Sequence, residues 1–414
     1  MVRISSAFRA ALIALVALVA LAACGPGNDW IVFRGEMGSG ATTTRLNPPL
    51  GTKWKLRLQL DERTLKSFNP PIVKDDTIFF GSADGNFYAL DIETGYMNWV
   101  FRTGGAINSV PFADHDNVYF GSRDGHAYAV DRHTGTEVWR HRAGRPVNSS
   151  FTRYEDKVIF ASDGGNTFFI SPEGELQFTV PNPIWHYNTF QVWEDVMYFA
   201  PGPMTQPHSF GAYDVMAREY LWVLDTAAMD ATWYSFPGLS GDSLFMSTAQ
   251  HRGNYWELNY YAYDRHTGQR LWRQTDTSRF GGYHIEDLRR HLWDNFELLD
   301  YMAPAIWRNT VIYTSGDTVV RAFDTRSGRP VWERQFTTPA VSAPKIAGDR
   351  VYFGLRGDPA TGQSPRLIAL SARDGRVLWD LDIEGTVLSA PVIAGKWIMF
   401  GTSRSFFYIL EELY

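Results

Sequence analysis

Short apolar segments recur along the chain at intervals of about forty residues. They are rich in Ile, Val, Phe and Tyr, and most end on Gly, Ala, Ser or Thr. The eight copies are 78–82, 118–122, 158–162, 197–200, 244–248, 311–315, 351–355 and 398–402. Branched and aromatic residues favour strands, and one repeat of this length fits one four-stranded blade. The pattern therefore predicts an all-β, eight-bladed β-propeller of four-stranded antiparallel blades.

A second pattern follows most of these segments: an Asp or Ser, then a Gly, and a Trp four residues after the Gly. The Asp and Gly are typical of a tight turn, and the Trp would end up on the outer strand, where it can dock between blades. Two copies are degraded, with Phe178 in place of Trp and Arg218 in place of Gly. The predicted blade-docking residues are Trp54, Trp99, Trp139, Phe178, Trp222, Trp272, Trp332 and Trp379.

Trp54 occupies an outer-strand position although no blade precedes it, and the last copy ends at Tyr414 without an outer strand. These two fragments complete one blade. We therefore expect the N-terminal strand to pair with the last three strands, which closes the ring and removes the sheet edge. The predicted propeller covers residues 51–414.

The A-x-D-x-x-T-G-x-x-x-W repeats resemble the tryptophan-docking motifs of PQQ-like eight-bladed propellers, over roughly residues 50–414. The preceding DWIVFRGEMGSG, residues 29–40, is similar to the lead-in of exported PQQ-like repeat proteins. Two branches of these proteins matter. One is the quinoprotein dehydrogenases, and the other is the non-catalytic BamB-type lipoproteins of outer-membrane protein assembly. A shared fold does not decide between them.

The N-terminus reads as an export signal. Arg3 and Arg9 supply positive charge, and the apolar run after them is too short for a confident membrane span. The ending Leu-Ala-Ala-Cys at 21–24 resembles the bacterial lipobox, which implies cleavage before Cys24 and a lipid on its sulfur. An ordinary signal peptide is the alternative. Gly25, rather than Asp, favours an outer-membrane, periplasm-facing anchor. Residues 1–23 are thus the predicted signal peptide, and 24–50 the lipid anchor and lead-in.

Composition and charge remove several classes of function. The single Cys excludes an intrachain disulfide, a multi-thiolate zinc site and a CxxCH haem attachment. A formal net charge of -6 gives no protein-wide basic surface, so nucleic acid is not an expected partner. We expect contact with the membrane through the lipid anchor only.

The residues near the start of each innermost strand indicate whether the protein has the site of a quinoprotein dehydrogenase. Two residues before the start of that strand, at a position predicted to ring the axis, stand Asn69, Ser109, Ser149, Asn188, Ser235, Met302, Ser342 and Ser389, without a charge. The resemblance to dehydrogenases implies a cation bound by carboxylate and amide oxygens, a catalytic Asp and an adjacent-Cys disulfide. A hard cation prefers anionic oxygen ligands. We therefore predict no catalytic residue, no metal and no PQQ, and attribute the polar ring to a solvated channel and the repeat.

Insertions fall into the connections of a single face. Counting strands outward from the axis, second-to-third and fourth-to-first connections share one face, here called the loop face; the opposite one is the turn face. The insertions are 201–209, 249–259, 356–365 and 276–301, the last with an amphipathic helix within about 277–300. The candidate partner residues are Trp185, His186, Trp233, Tyr255, Trp256, His284, Leu288 and Trp293. Packing of these side chains onto the propeller is the alternative.

These observations favour a lipid-anchored periplasmic scaffold that is a monomer by itself and binds a protein partner, with the outer-membrane barrel assembly machinery as the candidate. The other functions left open are a PQQ-dependent dehydrogenase and a propeller that binds a glycan or another small ligand.

Overall fold

The computed structural model of this 414-residue chain describes residues 29–35, 38–57, 69–181, 189–200, 209–225, 233–253, 255–279 and 303–414. Within these ranges every regular element is a β-strand, and the strands form eight sheets. Before the first complete blade come β1 (Ala41–Thr42) and β2 (Leu50–Arg57).

The blades follow one another along the chain. Blades 1 to 3 contain β3 (Ile72–Lys74), β4 (Thr77–Gly81), β5 (Asn86–Asp91), β6 (Met97–Arg102), β7 (Phe112–Ala113), β8 (Asn117–Gly121), β9 (His126–Asp131), β10 (Glu137–Arg142), β11 (Thr152–Tyr154), β12 (Lys157–Ala161), β13 (Asn166–Ile170) and β14 (Leu176–Pro181). Blades 4 and 5 contain β15 (Thr189–Trp193), β16 (Val196–Ala200), β17 (Ser209–Asp214), β18 (Glu219–Asp225), β19 (Trp233–Tyr234), β20 (Gly238–Ser240), β21 (Ser243–His251), β22 (Trp256–Asp264) and β23 (Arg270–Thr277). Blades 6 to 8 contain β24 (Ala305–Trp307), β25 (Thr310–Thr314), β26 (Val319–Asp324), β27 (Pro330–Gln335), β28 (Lys345–Ala347), β29 (Arg350–Leu355), β30 (Arg366–Ser371), β31 (Val377–Asp382), β32 (Val392–Ala394), β33 (Trp397–Gly401) and β34 (Phe406–Glu412).

The ring closes as predicted. In blade 8 the strand order is β2-β34-β33-β32, with β2 antiparallel to β34 and Leu50 opposite Glu412. The prediction of eight four-stranded antiparallel blades, joined by an N-terminal strand, is confirmed. Blade 5 differs in detail, because its innermost strand is split into β19 and β20, which both pair with β21.

The burial of each strand reflects its place in the blade. The second strands, such as β8 with the sequence NVYFG, are buried along most of their length because neighbouring blades cover both faces. The fourth strands, such as β10 with EVWRHR, alternate between half-buried and exposed residues. The apolar segments of the sequence are therefore second strands.

Indole rings link each blade to the next. In six blades the Trp Nε1 donates to a main-chain carbonyl of the following blade's turn, at 2.8 to 3.0 Å. The ring also lies against the Gly of that turn; a Cβ on Gly135 would lie 2.8 Å from the ring of Trp99. Gly135 has a φ of 72°, so both conformation and close approach require glycine there. Trp379 is partly buried and packs against a cluster formed by blades 7 and 8.

The two degraded copies of the motif meet at one interface. Because the Trp of one blade packs on the Gly of the next, Phe178 of blade 3 lies opposite Arg218 of blade 4. The Arg218 guanidinium carbon is 4.2 Å from the centroid of the Phe178 ring, a cation–π geometry. Arg218 keeps the positive φ of the glycines it replaces, 58°. One altered contact thus accounts for both departures from the motif.

We expect Phe178→Trp and Arg218→Gly to be strongly coupled. Phe178→Trp alone places an indole against the Arg218 Cβ and should destabilise the fold by about 1 to 3 kcal/mol. In the double variant the indole has room and can reach the carbonyl of Val215, so most of this loss should be recovered. Urea unfolding of the four proteins gives the coupling free energy, expected at about 1 kcal/mol or more. Additive effects would contradict this interface.

One predicted insertion proves to be a regular hairpin. Residues 249–259 were predicted as a loop, but β21 and β22 stay paired out to His251 opposite Trp256. Of the described tip residues, Arg252, Gly253 and Tyr255 lie outside the ladder. The predicted helical insertion, about 277–300, begins at Thr277, the last residue of β23; from residue 280 on it lies outside the described residues. Within the described ranges, no helix long and apolar enough to cross a membrane is found.

Candidate functional site

The lead-in, residues 29–35 and 38–49, crosses the inner strands of the ring. Trp30 exchanges two main-chain hydrogen bonds of 2.8 Å with Val73 of blade 1, and the Ile31 carbonyl accepts one from blade 2. Further along, the carbonyls of Ser39 and Gly40 accept bonds from blades 6 and 7 at 3.0 and 3.1 Å. β1 then adds a parallel strand to β28. The segment before the propeller is therefore part of its centre.

Phe33 of the lead-in fills the axis. It is 3% exposed and shares one packed cluster with residues directly before the first-strand prolines of five blades. These residues are Val110, Phe236, Ala303, Ala343 and Ala390. First strands of distant blades approach one another only around the axis, so the cluster marks its position. The Phe33 and Phe236 rings pack edge to face, with centroids 5.3 Å apart.

Arg34 fastens this plug to the ring. Its guanidinium donates to the carbonyls of Pro304 and Gly38 and lies 5.9 Å from the Phe236 ring centroid. Arg34 is 3% exposed. A Cβ on Gly40, which has a φ of 70°, would lie 2.9 Å from the Arg34 side chain. The FRG sequence and its following glycines therefore fold around a buried cation.

The prediction that a polar ring lines a solvated channel at the axis is wrong at the positions occupied by serine. The hydroxyls of Ser109, Ser149, Ser235 and Ser342 each accept a 2.8 Å hydrogen bond from a main-chain N–H of the second strand of their own blade. They are buried within the blade and do not line a solvated channel. The next residue faces the axis instead, because successive side chains along an extended segment point in opposite directions.

On the loop face, the stem of the long insertion is clamped to blade 6. Arg321 of β26 binds both carboxylate oxygens of Asp317, at 3.0 and 2.9 Å, and its Nε lies 2.8 Å from Asp276. The main-chain N–H of Arg279 donates to Asp317 at 2.9 Å, and its side chain binds Glu333 at 2.8 Å. The residues that lead into the insertion are therefore held in place.

Charge balance within this clamp is local. Partial burial is the largest single influence on Asp276 and opposes its ionisation, but the hydrogen bonds from Arg321 and the Thr277 N–H and the nearby charges of Arg321 and Arg279 together hold the pKa of Asp276 below its ordinary value. Asp317 is fully buried and Arg321 is 2% exposed. Each buried charge thus has a direct partner, as buried ions require.

The predicted partner residues differ in their exposure and in whether the structure describes them. Tyr255 lies at the hairpin tip and is 38% exposed. Trp256 is 2% exposed, so its assignment to an exposed face is wrong: the hairpin pairing continues to this residue, and it turns into the core with Leu258. Trp233 lies in β19. The other predicted residues, with the lipidation residue Cys24, lie outside the described residues: Trp185, His186, His284, Leu288 and Trp293.

The side chains described around the axis are mostly apolar. A quinone that carries carboxylates needs cationic or hydrogen-bonding partners, and a hard cation needs oxygen ligands. The axial positions supply Val, Ala and Phe side chains that share one packed cluster with Phe33. In the described ranges, no three His, Cys, Asp or Glu residues gather where they could hold a metal.

Comparison with a family model places the chain among known proteins. The model described as "Outer membrane protein assembly factor BamB" matches residues 41–181 and 257–358, which together exceed half of the chain. The chain belongs to this BamB-like propeller family. The matched residues include the inner β1 as well as the docking residues of blades 1 to 3, 5 and 6.

Solved structures share the BamB-like fold. BamB from Moraxella catarrhalis is 14% identical, with a TM-score of 0.58 over 87% of this chain and 99% of its own. A europium-containing methanol dehydrogenase is 13% identical, with a TM-score of 0.65 over 94% and 98%. Quinohemoprotein alcohol dehydrogenase from Comamonas testosteroni is 14% identical, with a TM-score of 0.65 over 93% and 80%. Among curated proteins no match is found. At these identities the likeness shows the fold alone.

Proposed function

We propose that this protein is a non-catalytic scaffold of outer-membrane protein assembly. In this proposal a lipid on Cys24 holds it at the periplasmic side of the outer membrane, and the loop face binds a protein partner. The propeller is a monomer by itself and acts without a metal or a quinone. The lipid confines the search for the partner to the membrane plane, while the closed ring supplies rigidity.

The plugged axis is the observation that carries the proposal. Phe33 and Arg34 fill the place where the blades converge, and their own contacts satisfy the groups around them. The elaborated connections of the loop face then provide the surface for recognition, because binding residues concentrate in loops on a rigid scaffold. Membership in the BamB-like family supports the same choice.

The clamp at the insertion stem favours a binding role for the loop face. Asp276, Arg279 and Arg321 hold the start of the insertion against blade 6, and Tyr255 stands exposed on the same face. A surface that is ordered before binding loses less conformational entropy when its partner arrives. Exposed tyrosine is also enriched where proteins bind one another.

Co-purification from native membranes tests the proposal. The full chain, tagged at its C-terminus, is solubilised gently, and bound proteins are identified by mass spectrometry. We expect an outer-membrane barrel with periplasmic domains. A variant that combines Tyr255→Ser with a Gly/Ser linker in place of residues 280–300 should reduce its recovery by about tenfold or more, the effect of losing about 1.4 kcal/mol of binding free energy.

A matched variant on the turn face controls for exposed tyrosine as such. Tyr96 is 76% exposed, and Tyr96→Ser should leave recovery of the barrel unchanged. Cys24→Ala should release the protein from the membrane fraction. Retention of the barrel by the loop-face variant would contradict the assigned face, and purification of the protein alone would contradict the scaffold role. A quinone absorption band in the purified protein would contradict the absence of a cofactor.

A further inference from the structure

A cavity on the turn face lies between the lead-in and the inner strands of blades 2 to 4. Its volume is about 490 Å³, which falls in the range of sites for small ligands. Apolar side chains form much of its wall: Val32, Phe33, Phe112, Phe190, Trp193 and Leu239. This cavity is on the side of the ring opposite to the loop face.

The charged groups around the cavity already have partners. Lys74 lies 2.6 Å from Asp29, and the Asp114 carboxylate accepts a 2.6 Å hydrogen bond from Tyr119. Glu155 lies 3.3 Å from Lys157. The Nε of Arg153 donates to the main-chain carbonyl of Glu155. These side chains are thus hydrogen-bonded or ion-paired within the protein, and the apolar wall favours an uncharged ligand.

The inner strands share one register position at which the main-chain N–H and C=O groups point toward the centre of the ring. Val73 shows this position: it lies one residue before the pair that flanks the turn, and its N–H and C=O both bond Trp30. Leu239, Ile306 and Ile346 hold the same register, and their N–H groups donate to lead-in carbonyls at 3.4, 3.0 and 3.1 Å. The lead-in therefore acts as a peptide that pairs with successive inner edges.

In blades 3 and 4 this edge is not paired with any described residue of the lead-in. Arg153 and Val192 occupy the register position of Val73, and both line the cavity. Over the described residues, neither has a main-chain hydrogen bond to the lead-in. In a ladder that alternates bonded and unbonded pairs, the main-chain groups at this position point away from the second strand. The cavity thus contains two edge positions that can pair with an extended chain.

Gln191 adds a buried acceptor beside these edges. It is 7% exposed, lines the cavity, and its Oε1 has no hydrogen-bond partner. Buried side-chain oxygens in folded proteins nearly always have a donor, and leaving one without a partner is costly. A ligand that brings an N–H into the cavity would supply this donor.

We infer that this cavity binds an extended, uncharged peptide segment of three or four residues. Its main chain pairs with the inner edges at Val192 and Arg153, one N–H donates to Gln191 Oε1, and an apolar side chain packs on the Phe112 and Phe190 wall. This is strand addition of the kind by which peptides join exposed sheet edges. The site is independent of the proposed partner on the loop face.

A capped peptide and its N-methylated form test the site. The probes are acetyl-Val-Thr-Val-Phe-amide and the same peptide methylated on its two central main-chain nitrogens, titrated calorimetrically into the full mature protein. The unmodified peptide should bind at least about tenfold more tightly, because only it keeps the N–H donors that the edges and Gln191 need. Equal affinity, or no heat with the unmodified peptide at millimolar concentration, would overturn the inference.

Two variants locate the binding. Gln191→Leu keeps the size of the side chain but removes the acceptor, and should weaken binding about fivefold; Val32→Trp should fill the cavity and abolish binding. Gln335→Leu, on the exposed outer strand β27, is the matched control and should have no effect. Unchanged affinity in both cavity variants would overturn the site. The comparison of peptides on the unmodified protein decides the matter if either variant fails to fold.

Discussion

Replacing Trp99 by alanine should lower the free energy of unfolding by about 3 to 5 kcal/mol. Trp99 is 9% exposed, and its ring lies 5.8 and 6.1 Å from the rings of Phe79 and Phe87. Its Nε1 donates to the carbonyl of Arg132 in the next blade at 3.0 Å. Truncation leaves a void between two blades and removes one link of the closed ring.

Graded substitutions separate the parts of this contact. Trp99→Phe keeps most of the packing but loses the hydrogen bond, so it should cost less than alanine, with about 1 kcal/mol due to that bond. Val100→Ala, on the same strand and 45% exposed, is the control and should change stability by less than about 0.5 kcal/mol. Urea unfolding measures all three. A loss below about 1 kcal/mol for Trp99→Ala would show that the indole does not hold the blades together.

The blades could be predicted because their signals are local and repeated. Each second strand and each turn is specified by a few neighbouring residues, and eight copies correct one another where a single copy is weak. Closure could be predicted for the same reason: Trp54 has the context of a fourth strand, and the missing strand of the last blade leaves one place for it. The pairing of β2 with β34 follows.

The axis was harder to predict because an error of one residue reverses a side chain. Ser109 was expected at the axis, but its hydroxyl bonds Gly121 within its own blade, and the neighbouring Val110 faces inward. In extended chain, adjacent residues point to opposite sides, so a correct strand with a shifted register gives the wrong lining. For this reason the sequence predicted a polar, solvated channel, whereas the axis in the structure is apolar and filled by Phe33.

The plug had no periodic signal at all. Phe33 occurs in a segment that is present once, and its contacts join it to residues as distant in sequence as Ala390. Glycines at 35, 38 and 40 were the available sign, since each adopts a positive φ where the chain bends around Arg34. Such spacing shows that the backbone turns but does not show which blade it meets.

Replacing Arg321 by methionine should destabilise the protein by about 3 to 5 kcal/mol at neutral pH. Arg321 is the partner of Asp317, which is fully buried, and it also binds Asp276. Methionine fills much of the same volume without a charge, so the main cost is a buried carboxylate that has lost its counter-ion. Arg334→Met, on the exposed outer strand β27, is the matched control and should change stability by less than about 0.5 kcal/mol.

The cost of Arg321→Met should depend on pH in a defined direction. In the variant Asp317 stays buried without its counter-ion, and a buried carboxylate without a partner opposes folding only while it is charged. In the unsubstituted protein the pKa of Asp276 is lowered, so its contribution to stability is present above about pH 4 and is lost as the pH falls further. Both changes make the difference between the two proteins smaller in acid.

Unfolding in urea at pH 7 and pH 3 measures this dependence. The deficit of Arg321→Met should be smaller at pH 3 than at pH 7 by about 1 kcal/mol or more. Adding Asp317→Asn should recover part of the loss at pH 7, since the amide carries no charge and its single oxygen can still accept from the N–H of either Val319 or Arg279. A deficit that stays the same at both pH values would show that packing, rather than the unpaired carboxylate, sets the cost.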